Sequence, residues 1–164
     1  MKQSTEQLEV LAAIGRVTVE AGRLEVTLAE LAEILVNPNE LSMGKIFTTD
    51  MRVSRLVDSV IWLYSQRKMT DSNRLKGLLK RISALSKERN QVVHSRWIVS
   101  ELSPGFPLLP IRSRTKKTRK GPVYDLKHLS KAEINDLADR IHAANTELIP
   151  FFREALRLAG FTNL

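Results

Sequence analysis

The 164-residue chain has no cysteine. Disulfide frameworks, thiolate metal sites and thiol nucleophiles are therefore excluded, and the absence fits a reducing interior. No apolar run approaches the roughly 18 residues of a membrane span. Lys2, Glu6, Glu9, Arg16 and Glu20 interrupt the apolar positions near the start, so no signal peptide is expected there. Internal repeats, low-complexity tails, Ser-His-Asp order and metal-ligand clusters are also lacking. Gly44-Lys45 invites a phosphate-loop reading. Asn39 stands where the first glycine should be, and Ile46 stands where Ser or Thr would hold magnesium, so that reading is rejected. The expectation is one soluble, cytoplasmic domain over residues 1–164, with no membrane contact, no metal and no cofactor.

Basic residues outnumber acidic ones, 26 to 18, giving a net charge of +8. Such a balance favours a polyanionic partner, nucleic acid above all. The excess is concentrated between Ile98 and Leu129. There Arg112, Arg114, Lys116, Lys117, Arg119, Lys120 and Lys127 face only Glu101 and Asp125.

Apolar spacing predicts four helices. Val10, Ile14, Val17, Ala21, Leu24, Leu28, Leu31 and Leu35 form an unbroken heptad seam in a first helix, Ser4 to Val36. At 1.5 Å per residue this helix is about 50 Å long, so the molecule is elongated or the helix serves a dimer as well. Asn37-Pro38-Asn39 ends it, and Glu40 to Thr49 reads as a connection. A second helix runs from about Asp50 to Lys68 on Val53, Val57, Val60 and Tyr64. A third follows the cap candidates Thr70 to Asn73 and extends to about Trp97 on Leu75, Leu78, Ile82, Leu85, Arg89 and Val92. Arg89 thus holds a seam position, which is costly unless it is open to solvent or has an acidic partner or ligand.

From Ile98 to Leu129 the helical period vanishes. Four of the six prolines lie here, Trp97-Ile98-Val99 suggests a strand, and Arg112, Arg114 and Lys116 alternate. A β-hairpin-like or irregular basic insertion is expected. Ser130 and Glu133 then form a capping box, with Leu129 and Ile134 as a hydrophobic staple. The fourth helix faces Ile134, Leu137, Ile141, Leu148 and Phe152 inward, kinks at Pro150 and ends at Gly160. The fold class expected is all-α, an up-and-down four-helix bundle with the insertion at 98–129 between its third and fourth helices.

Near the end of the third helix stands Glu88-Arg89-Asn90-Gln91-Val92-Val93-His94-Ser95-Arg96. Asn90 and His94 share a helix face. Arg89 and His94 lie about 140° apart around it, so they flank a groove without stacking. An arginine, a polar residue, three more residues and then a histidine, at this place in a helical bundle, resembles the HEPN superfamily. The resemblance implies a homodimer whose two motifs face each other, and a metal-independent endoribonuclease of the kind found among toxins and stress or defence effectors, with an antitoxin protein as partner where it acts as a toxin. One toxin subgroup carries Tyr two residues after the histidine; Arg96 stands there in this chain, which puts that mode of control in doubt. Other members are non-catalytic binding or assembly modules.

The chemistry is consistent with those residue types. Cleavage by the RNA 2′-hydroxyl needs a base, an acid and a cation on the phosphorane. His94 suits either proton role, the Arg89 fork suits phosphate, and Asn90 supports either. One chain supplies one motif histidine, and a two-fold dimer supplies two. Arg96, Arg112, Arg114, Lys116, Lys117, Arg119 and Lys120 would contact the RNA backbone. Trp97 and Tyr124 are stacking candidates, with a core role as the other reading of Trp97. The structural alternative pairs Arg89 with Glu88 or an acid on another helix and makes His94 a cation at a helix C-terminus. Without catalysis, the chain would be a dimeric module binding nucleic acid or a protein partner, or a scaffold dimer joined through the first helix.

Overall fold

A computed structural model describes residues 5–98, 111–118 and 121–161. Five helices account for most of it: α1 (Thr5–Val36), α2 (Leu41–Thr48), α3 (Val53–Gln66), α4 (Ser72–Val93) and α5 (Lys131–Leu158). Strands β1 (Arg96–Ile98), β2 (Ile111–Thr118) and β3 (Gly121–His128) form an antiparallel sheet in that order, between α4 and α5 in the chain. The residues 99–110 of the Pro-rich segment lie outside the description. Among the described residues no helix is long and apolar enough to cross a membrane.

The heptad seam of α1 is the spine. All its members are buried except Ile14, which is partly so, and Leu28, Leu31 and Leu35 have no exposed surface. At 1.5 Å per residue its 32 residues span about 48 Å. The stripe is long enough to be covered by every other helix, and α5 covers most of it. Leu56, Val57, Val60 and Tyr64 of α3, and Leu75, Leu78, Leu79, Ile82 and Leu85 of α4, complete the core. On α5 the inward aromatic is Phe151 rather than Phe152, which is only partly buried. The helix continues through Pro150 to Leu158.

The sequence reading differs most at 40–49, where the expected connection is the helix α2. Gly44 is the reason this helix fits. A Cβ there would lie 2.4 Å from the Glu33 carbonyl oxygen and 2.6 Å from its Cα, so α2 presses its backbone onto α1. The Thr48 hydroxyl donates to the Glu33 carboxylate at 2.7 Å and secures the contact.

Helix ends are closed in different ways. At the start of α5 the Glu133 N–H donates to Ser130 Oγ (3.2 Å), and the Ser130 N–H donates to the Glu133 carboxylate (2.7 Å). At its end Gly160 takes φ +83°, and the N–H of Phe161 reaches the Leu156 carbonyl, a Schellman closure. Asp71, at the N-cap of α4, is left-handed (φ 55°) and makes no side-chain cap bond. Its neighbour Thr70 instead donates from both N–H and hydroxyl to Glu154 of α5 (3.1 and 2.7 Å), which also accepts from the buried Tyr64 hydroxyl at 2.5 Å.

Ion pairs run along the helix seams. Lys131–Glu9 (2.8 Å), Arg16–Asp139 and His142–Glu20 (3.1 Å) join α5 to α1, and Arg140–Glu88 (2.8 Å) and Arg81–Glu147 (2.5 Å) join it to α4. Most are exposed and individually worth little. Glu20 is buried and also accepts from Arg23.

Two stability predictions follow from these contacts. Gly44→Ala should cost about 1–3 kcal/mol by overpacking. Gly22→Ala, with nothing within 4 Å of the added carbon, should be neutral or stabilising by up to about 1 kcal/mol; urea unfolding reads both. The second concerns acid. Burial raises the Glu154 carboxyl, but the hydrogen bonds from Tyr64 and Thr70 and the Arg157 charge outweigh it, so it titrates below the ordinary 4.5. Its contribution is complete above that value and is lost as pH falls through the lower folded one. Glu154→Gln should therefore be less stable than wild type at pH 7 and lose less stability on acidification, as followed by thermal unfolding against pH.

Candidate functional site

The last two turns of α4 place Arg89 and Asn90 against α1 and the start of α3. Arg89 is the seam residue that the apolar pattern does not predict, and its side chain is 18% exposed. Glu88, the adjacent acid, is engaged by Arg140 and leaves Arg89 alone. One Arg89 amino group donates to Asn90 Oδ1 at 2.9 Å. The other lies 3.9 Å from Glu25 of α1, beyond hydrogen-bond reach. The Nε–H is sealed from solvent and has no acceptor. The guanidinium is thus held by its neighbours without being fully paired by them.

Arg89 stands between two spaces. Below it is a narrow apolar pocket lined by Leu24, Leu28, Ile82, Leu85 and Ile141. Above it is an open cleft of about 410 Å³. Glu25 of α1 forms one wall of the cleft, Met51, Arg52, Val53 and Ser54 at the start of α3 form another, and Ser83, Ser86, Lys87, Arg89 and Asn90 of α4 form the floor. A cation above apolar packing exerts its field with little water to screen it.

The motif divides here. Arg89 and Asn90 line the cleft, and His94 does not. His94 is the exposed C-cap of α4, its N–H donating to the Asn90 carbonyl at 3.2 Å. One chain therefore offers its phosphate-binding candidate and its proton-transfer candidate at separate places along the helix end.

The other sequence candidates fall along the sheet. Arg96 lies in β1 opposite Ser113, and Arg112, Arg114 and Lys116 occupy alternate positions of β2, with Lys117 between Lys116 and Thr118. In register Arg112 stands between Trp97 and Lys127, and Arg114 opposite Asp125. The side chains of these basic residues lie outside the description, as do Arg119 and Lys120 entirely. Trp97 packs on the core, and its indole N–H donates to the Val92 carbonyl at 2.8 Å. That is the structural role, and it leaves the indole half-buried.

Arg52, Lys87 and the serines of the cleft are absent from the sequence candidates. Ser83, Ser86, Lys87 and Asn90 do form a polar stripe at helical spacing beside Arg89, so the α4 floor was readable. Arg52 comes from a loop 37 residues upstream of Arg89, and only the packing of α3 on α4 brings it there.

No protein-family model matches the chain, and neither a curated protein nor a solved structure shows significant similarity to it.

A residue kept for structure and one kept for a ligand differ in what their removal does. Arg89→Met retains the length and removes a charge with an unsatisfied N–H. Its stability should be unchanged or raised by about 1 kcal/mol. A loss of about 3 kcal/mol in urea unfolding would instead make Arg89 a structural tie to Glu25.

Proposed function

We propose that the chain is a HEPN-like, metal-independent endoribonuclease. In this reading α1, α3, α4 and α5 are the four helices of the bundle, α2 is an addition, and the sheet is the basic insertion. The chain works as a homodimer in the cytoplasm, as a toxin or a stress or defence effector, with an antitoxin partner in the first case.

The observation that carries the reading is the state of Arg89. A guanidinium on an apolar seam, short of acceptors and open to a cleft, is costly in the fold and useful to a phosphate. Asn90, bonded to it, fixes its orientation. In the reaction a base removes the 2′-hydroxyl proton, O2′ bonds to phosphorus, the phosphorus–O5′ bond breaks, and an acid protonates O5′. Arg89 balances the charge on the phosphorane. His94 takes one proton role and the same residue of the second copy takes the other. Exposure at the end of α4 leaves it accessible to that copy. Arg96, the basic positions of β2, Arg119 and Lys120 hold the RNA backbone.

A second reading is a non-catalytic HEPN-like dimer that binds nucleic acid or a protein partner on the same face. The separation of His94 from the Arg89 cleft favours it.

Single-stranded RNA incubated with the protein in EDTA separates the two. The nuclease should leave 2′,3′-cyclic phosphate ends, spare DNA, and lose about 100-fold or more of its rate in His94→Ala. No cleavage by wild type would remove His94 from the chemistry and leave the binding module; equal cleavage by both would also remove His94 and point to a contaminating nuclease.

A further inference from the structure

The cleft above Arg89 contains more cations than its fold requires. Arg52, Lys87 and Arg89 line it, against the single carboxylate of Glu25. Among the described residues no carboxylate pairs with Arg52 or Lys87, and both are exposed. An adjoining recess shares Arg52 and Ser54 and adds Asp50 and Arg55, one acid and one base. The excess is therefore about two positive charges however the boundary is drawn. Three cations thus share the one carboxylate of Glu25 on the cleft wall.

One further feature adds to the excess. The 14-residue helix α3 begins on the cleft wall, and no side chain caps it, so its first N–H groups and its dipole add to the positive potential. Ser54 on the α3 wall and Ser83 on the α4 floor supply hydroxyls. Lining of this kind, with a volume of about 410 Å³, fits a small phosphorylated molecule rather than a bare halide or a carboxylate.

We propose that this cleft is a binding site for a phosphate monoester, the terminal phosphate of a nucleotide. A monoester carries about two negative charges at neutral pH, which matches the excess, whereas a backbone diester carries one. Arg52 binds its oxygens from the α3 wall, Lys87 and Arg89 bind from the α4 floor, and the uncapped start of α3 adds its N–H groups. The site goes beyond the cleavage reading. Only the choice of an RNA 5′ end as the source of the monoester rests on that reading; a free nucleoside monophosphate presents the same group.

The test is fluorescence anisotropy at about 150 mM salt, where non-specific phosphate contacts are weak. Two labelled RNAs of one sequence are compared, one ending in a 5′-monophosphate and one in a 5′-hydroxyl. Adenosine 5′-monophosphate and adenosine serve as unlabelled competitors, and the nucleotide's direct binding is read by calorimetry. If the source is an RNA end, the phosphorylated RNA binds about tenfold tighter. That difference collapses in Arg52→Ala and Lys87→Ala while their thermal unfolding stays at the wild-type midpoint, and Arg52→Lys keeps most of it. If the source is a free nucleotide, the monophosphate binds and adenosine does not, with the same variants losing it and the two RNAs behaving alike. If neither the RNA end nor the nucleotide phosphate changes binding, or if the variants retain the preference, the proposal is overturned, whether or not RNA is cleaved. Binding of the monophosphate with no affinity for RNA would leave the site standing and remove the ribonuclease.

Discussion

Burial of one stripe along α1 is the interaction on which the rest depends. A single 32-residue helix exposes more apolar length than any one partner of ordinary size can cover. The chain resolves this by laying α5 along most of it and α2, α3 and α4 against the remainder. The angular positions of these helices around α1 then decide what meets at their edges. Glu25 is one residue past the seam member Leu24, so it emerges where α3 and α4 converge, beside Arg89. The cleft is a by-product of three helices sharing one spine, and its chemistry comes from the side chains at that edge.

Much of the helical framework could be read from spacing. The 4-3 alternation of α1, the Ser130–Glu133 box and the stop at Gly160 are local signals, and local signals survive tertiary context. What escaped reading depended on contacts between distant segments. Gly44 stands in a segment that reads as a connection; in the fold it is the absence of a side chain that lets two helix backbones touch. Phe151 and Phe152 stand three and four positions after Leu148, and periodicity cannot choose between them. Arg89 was visible as an anomaly on the seam. That its neighbour Glu88 would be taken by Arg140, from a helix about fifty residues later, could not be seen from spacing.

Charge is used in two ways in this molecule. Along the α1–α5 and α4–α5 edges acids and bases are matched, and Glu20 is buried because Arg23 and His142 reach it. At the junction of α1, α3 and α4 three cations share the carboxylate of Glu25. The stability of the fold is carried by the aliphatic core, and the cleft is free to hold cations that the fold itself does not use.

The helix ends differ in their independence. The α5 helix carries both of its closures in its own flanking sequence. The α1 helix does not: its last carbonyls, at Leu35 and Val36, accept from the guanidinium of Arg67, at the far end of α3 (2.6 and 3.2 Å). The start of α4 is likewise held through Thr70 by Glu154 of α5. The closures of α5 are therefore local, whereas the end of α1 and the start of α4 are complete only when their neighbours have docked. Undocking of α3 would thus leave the last carbonyls of α1 without their partner, which ties the fraying of one helix to the departure of another.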